Sequence, residues 1–246
     1  MSTAWAYFWR VILPYISMAI FVLGHIWRWR YDQYGWTSYS TELQEHDWLK
    51  WGAPLFHYGA FGAIAGHVIG ILIPKWWIDA IGVPEHAYHV FSAAAGLLAA
   101  ALVIAGMVIL ACRRLFVPRV RATTSPVDWV ALILLGILVL LGIITTAINA
   151  PLAYEYRETI SIWFRGLFAG HANVAIAQQA PIIFQVHAIA AWVLFLIWPF
   201  TRLVHVWSYP LWYLWRPYVV YRSRRAAPPP EPGTGGRRWR RIGVRY

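Results

Sequence analysis

Apolar runs of similar length recur along the chain, separated by short segments rich in Arg, Trp, Pro and Gly. They cover about residues 11–27, 53–73, 90–112, 127–148 and 180–200. Each is near the roughly 20 residues that a helix needs to cross a bilayer. The pattern predicts an all-α integral membrane protein, a bundle of five transmembrane helices. Trp5 and Trp9 precede the first run as interfacial anchors. No basic stretch leads into that run and no small-residue cleavage site follows it, so it reads as a retained span.

Five spans put the termini on opposite sides, and the basic residues orient them. The segments 28–50, 113–126 and 201–246 hold three, four and ten Lys and Arg, against Arg10, Lys75, Arg157 and Arg165 on the other side. The positive-inside rule then predicts an outer amino terminus and a cytoplasmic carboxyl terminus. Trp27, Trp29, Trp48, Trp51, Trp76, Trp77, Trp207, Trp212 and Trp215 gather at span ends as an aromatic belt would. Residues 1–225 form the membrane domain. Residues 226–246, AAPPPEPGTGG and then RRWRRIGVRY, predict a disordered basic tail touching anionic lipid or a partner.

Composition narrows the class further. The chain is 60% hydrophobic and 13% charged, with a mean hydropathy of +0.50, which excludes an ordinary soluble domain. The net charge of +11 suggests nucleic acid only at first glance, since eight Arg and one Glu in residues 222–246 supply +7 of it. No nucleic-acid partner is expected. Cys112 is the single cysteine, which excludes an intrachain disulfide, a covalently attached c-type haem and a Cys-ligated iron–sulfur cluster within the chain.

Ionisable groups inside a span are costly and mark function. The second run carries His57 and His67, and the last carries His187 with His205 just beyond it. Neutral imidazole ligates iron and is cheaper to bury than a charge. The two spans are antiparallel, so His57 pairs with His205 near the cytoplasm and His67 with His187 near the outside, two sites for bis-histidine haem. On continuous helices, however, the ligands would be about 15 Å apart on one span and about 27 Å on the other. Helix tilt or a kink at Pro199 must absorb the difference. Gly59, Gly62, Gly66 and Gly70 form a stripe about 135° from the histidines, which suits the close approach of another helix. His25 reads as an interfacial residue, and His46 and His171 as solvated loop residues.

The stretches YDQYGWTSYS, LFHYGAFGAIAGHVIGILIPKW, RRLFVPRVRATTS and PFTRLVHVWSYPLWYLWRPY resemble the gamma subunit, a dihaem cytochrome b, of membrane-bound respiratory nitrate reductases. The similarity spans about residues 9–225. It implies two b-type haems with His57, His67, His187 and His205 as axial ligands. It also implies quinol oxidation near the outer face and electron transfer to an iron–sulfur beta subunit. A molybdenum-containing alpha subunit in the cytoplasm would then reduce nitrate, and the location would be a bacterial or archaeal cell membrane. The family's quinol pocket can use a lysine in the outer loop, which EHAYH lacks, so Glu85, His86 and His89 become the candidate quinol-site residues. Arg202 is a candidate haem-propionate partner, with a snorkelling anchor as the other reading. Two rival functions share parts of this pattern: a dihaem subunit of a sulfur-cycle or heterodisulfide-type reductase, and a haem-free membrane anchor or transporter.

Overall fold

The computed structural model describes residues 3–152, 154–208 and 215. The chain divides into two compact units, Met1–Tyr209 and Pro210–Tyr246, and the fold below is that of the first. The tail expected at residues 226–246 and the belt residue Trp212 lie outside the described residues.

Five helices among the described residues are long and apolar enough to cross a membrane, as the hydropathy pattern predicts. They are α1 (Thr3–Tyr31), α2 (Leu49–Leu72), α3 (Glu85–Phe116), α4 (Pro126–Leu152) and α5 (Ile182–Phe200). No strand occurs among the described residues. Residues such as Leu23, Phe61, Leu98 and Ile133 on these helices are exposed, which suits a surface solvated by lipid tails rather than water.

Local chemistry sets the helix ends. The run of α3 stops at Val117, held extended by the following Pro118. A reciprocal cap starts α4: Ser125 N–H donates to the Asp128 carboxylate at 2.9 Å and Asp128 N–H donates to Ser125 Oγ at 3.3 Å.

The tightest seam joins α2 to α3. A Cβ on Gly106 would lie 2.3 Å from the Phe56 backbone nitrogen, and one on Gly59 would lie 2.6 Å from the Ala99 carbonyl oxygen. Gly62 also meets Ala99, so this part of the glycine stripe admits a neighbouring helix as expected. Gly66 faces open space instead, and Gly70 meets Tyr156 from a connecting loop. Helix α5 packs on α1 and α4, and no comparable seam joins it to α2. That division leaves α2 and α5 facing each other mainly through long side chains.

At the face where the chain begins, the amphipathic helix Ile160–Phe168 caps the bundle. Both α1 and α2 contain a π-helical turn, at Phe8–Ile12 and Val68–Leu72. The cap supplies side-chain donors there: Trp163 Nε1 to the Arg10 carbonyl at 2.9 Å, Ser161 Oγ to Gly70 at 2.8 Å and Arg165 to Ile71 at 2.7 Å. Buried Leu13, Ile160, Trp163, Leu167 and Trp192 fill the core beneath it.

At the opposite face, buried arginines tie the chain together. Arg28 donates to the carbonyls of Pro199, Thr201 and Gly35 at 2.7, 3.0 and 2.8 Å. Arg113 donates to Glu45 at 2.5 Å and to the Thr41 hydroxyl at 2.7 Å. Each therefore anchors a loop through donors that reach backbone or side-chain oxygens.

Candidate functional site

The four intramembrane histidines come together in two pairs. The rings of His57 and His205 have centroids 6.0 Å apart at an interplanar angle of 72°. Those of His67 and His187 are also 6.0 Å apart, at 28°. A metal ion held between two imidazole nitrogens at about 2 Å from each would place the ring centroids about 6 Å apart. Both separations fit an iron between the rings.

The hydrogen bonds on the other ring nitrogens fit the same use. Nδ1 of His57 is 2.7 Å from the Ala53 carbonyl, Nδ1 of His67 is 2.7 Å from Ala63, and Nδ1 of His205 is 2.6 Å from Arg202. An Nδ1–H donating to a carbonyl leaves Nε2 as the metal-facing lone pair, the usual outer-shell arrangement of a ligating histidine. His187 is positioned differently: a Cβ on Gly142 of α4 would come 3.2 Å from its Cε1, so a side chain there would press on the ring.

The expected mismatch between the two ligand spacings has a structural answer. Helix α5 is α-helical only through Ile197, and Trp198–Phe200 is a 3-10 turn containing Pro199. The chain then extends at Thr201 and re-forms a 3-10 segment at Arg202–Ser208, which carries His205. The 27 Å expected of a continuous helix therefore does not apply, because proline removes an N–H and ends the α-helical ladder. Arg28 holds the broken segment by its carbonyls.

Arg202 does not stand free. Its Nε donates to Asp128 at 2.6 Å, its Nη2 reaches the same carboxylate, and Nη1 meets the Ser38 carbonyl at 3.3 Å. Arg114, absent from the sequence-based candidates, lies beside the same carboxylate with Nη1 3.9 Å away, and that buried nitrogen has no hydrogen-bond partner. The doublet RRL, just inside the end of an apolar run, was the signal for it.

Glu85, expected at a quinol site, belongs to an ion cluster at the amino-terminal face. Both its carboxylate oxygens accept from Arg157 Nη2, at 2.9 and 2.7 Å, and Lys75 is 3.4 Å away. Lys75 also meets Glu158 at 2.9 Å and Glu155 at 3.5 Å. EHAYH has no lysine, yet the loop brings one to the same cluster from ten residues earlier. Burial raises the Glu155 carboxyl above the usual carboxylate range, and the neighbouring Glu85 adds to the shift. His86 is exposed and His89 half-buried on the first turns of α3.

The remaining histidines are elsewhere. His25 is boxed by Phe21, Trp36 and Trp207, a more enclosed place than an interfacial residue would have. His46 and His171 are exposed, as expected.

A family model described as the nitrate reductase gamma subunit matches residues 6–224, most of the chain and all four paired histidines. The chain belongs to the nitrate reductase gamma subunit family. The nitrate reductase gamma chain of Bacillus subtilis is 44% identical over 214 residues, covering 87% of this chain and 96% of the relative. The respiratory nitrate reductase 1 gamma chain of Escherichia coli is 35% identical over 216 residues, 87% of this chain and 95% of the relative. The nitrate reductase-like protein NarX of Mycobacterium tuberculosis is 40% identical over 220 residues, 88% of this chain but 34% of that longer protein. This gamma subunit is thus a multi-pass protein of the cell membrane and part of an oxidoreductase complex, associated with other nitrate reductase subunits.

Proposed function

We propose that this gamma subunit is a dihaem cytochrome b that oxidises quinol and delivers the electrons to an iron–sulfur beta subunit, for nitrate reduction by a molybdenum-containing alpha subunit. The observation that carries the reading is the equal 6.0 Å separation of two histidine pairs on the same two chain segments. His67 and His187 would hold one haem, and His57 and His205 the other. Haem, when bound, supplies one-electron carriage, with its potential tuned by ligands and nearby hydrogen bonds. Arg114, with its unpaired buried N–H, suits a propionate better than Arg202, whose guanidinium already holds Asp128. The distribution of Lys and Arg supports an outer position for the face where the chain begins, and the partner subunits would then dock at the opposite, cytoplasmic face.

Haem stoichiometry tests this directly. A pyridine haemochrome assay on the purified complex is expected to give two non-covalent b haems per gamma chain. His67→Ala and His187→Ala should each remove the same haem, and His57→Ala and His205→Ala the other. Absence of haem overturns the reading, and loss of different haems within one pair overturns the pairing.

A further inference from the structure

Tyr156 touches the two helices that carry His67 and His187. Its hydroxyl lies 2.6 Å from where a Gly70 Cβ would be, three residues beyond His67. Its ring stacks on Phe184, three residues before His187, with centroids 6.3 Å apart. Tyr156 thus touches α2 and α5 about one helical turn outward of each histidine. Its hydroxyl is 3.2 Å from that of Tyr88. Tyr88 is buried, and the Arg157 guanidinium lies 3.8 Å from the centre of its ring. Arg157 itself is only 2% exposed and grips Glu85 and Glu155, while its Nη1 is buried with no hydrogen-bond partner.

Hydrogen-bond accounting says what this cluster lacks. Two tyrosine hydroxyls bring two protons, and the bond between them uses one. Among the described residues neither hydroxyl has a further partner. The spare proton, the spare lone pairs and the Arg157 Nη1 call for a group that both donates and accepts. The charges decide its class. Lys75 and Arg157 stand against Glu85, Glu155 and Glu158, two cations against three carboxylates. An anionic ligand such as a carboxylate would meet like charge, whereas a neutral hydroxyl meets acceptors for its proton.

The geometry points to the Tyr88–Tyr156 hydroxyl pair, backed by Arg157, Glu85, Glu155 and Lys75, as the group that binds a quinol oxygen and receives its proton. The inference rests on quinol oxidation as proposed above; it keeps Glu85 from the sequence-based candidates and adds Tyr88, Tyr156, Arg157 and Glu155, which no sequence motif singled out. As the quinol O–H bond breaks, its proton passes to the Tyr156 oxygen while the pair gives up a proton of its own. That proton goes to the carboxylates that Arg157 holds beside the Tyr88 ring, and from partly exposed Glu85 and Glu155 to water. Each O–H lost also releases one electron, which a haem held between the histidines would accept, so two such steps turn quinol into quinone with two protons and two electrons released.

The test uses the complete complex in native membrane vesicles with menadiol as the quinol. Tyr156→Phe keeps the ring contact with Phe184 and is expected to raise the KM for menadiol about tenfold, the loss of one hydrogen bond of about 1.4 kcal/mol, with haem content unchanged. Tyr88→Phe should do the same, and it carries the test should Tyr156→Phe lose haem. Glu155→Gln should lower kcat more than it changes KM. It should also abolish the fall in rate on the acid side, where protonation of Glu155 blocks the wild type, and delete an infrared carboxylic-acid band. Variants with wild-type KM, pH profile and spectrum would make the cluster purely structural and overturn the inference. A wild-type complex that leaves menadiol unoxidised would instead overturn the proposed function.

Discussion

Arginine in this protein behaves as a cross-linker of backbone more than as a surface charge. Arg113 is 3% exposed, and its donors go to Glu45, Thr41 and the Glu45 carbonyl, so one side chain pins the second half of the loop before α2. Burial works against the ionised Glu45, but the Trp48 N–H and the Arg113 guanidinium outweigh it and hold the carboxyl below the usual range. A depressed carboxylate contributes stability above its unfolded pKa and loses it as pH falls through the folded one. The loop should therefore loosen in acid and be firm at neutral pH. Arg113→Ala takes the guanidinium from Glu45 and a donor from the Thr41 hydroxyl, and losing a hydrogen bond to a charged group costs about 1.5–3 kcal/mol. The expected result is an earlier thermal loss of helical circular dichroism in detergent and faster proteolysis within residues 32–48. Wild-type melting and proteolysis would show that Arg113 does not anchor the loop.

Among the helices, the α2–α3 seam is set by glycine, and a side chain there has nowhere to go. A Cβ on Gly106 would sit within 2.7 Å of three backbone atoms of α2, Phe56 N and Cα and Gly52 O, which cannot yield as a flexible side chain could. Gly106→Leu is expected to separate the helices and turn the face of α2 that carries His57. Detergent-purified protein should then lose the His57–His205 haem before the other, read from its optical spectrum. Gly66→Ala, whose Cβ points into open space, should keep both haems. Equal loss of haem in the two variants would contradict the seam. Helix α5 works the opposite way: it needs its break at Pro199, because a straight helix would carry His205 past His57.

The whole molecule places two histidine pairs apart along the bundle and the Lys75, Glu85, Glu155 and Arg157 cluster at the face where the chain begins. If quinol gives up its protons at the face of Lys75 and Glu155 while its electrons leave toward the opposite face, turnover moves charge across the membrane without a proton channel in this chain. Sealed vesicles bearing the complex, with that face outward, are expected to acidify the outer solution as nitrate is consumed. A pH electrode reads this directly, and acidification of the lumen would put quinol oxidation at the wrong end.

The sequence by itself determined the five spans, since hydrophobic length is a property of each run alone, and it also determined which histidines pair, since antiparallel order follows from an odd number of crossings. It left open how 10 and 18 residues of ligand spacing could meet. Only the tertiary structure decided this, because Arg28 on α1 must reach the carbonyls beyond Pro199 to hold the broken end of α5. The structure also moved Arg202 into an ion pair with Asp128 and brought Lys75 and Glu85, between α2 and the start of α3, together with Arg157 from the connection between α4 and α5. Such partnerships depend on how helix ends converge in space, and residues 72 positions apart, such as Glu85 and Arg157, carry no mark of it in their local sequence.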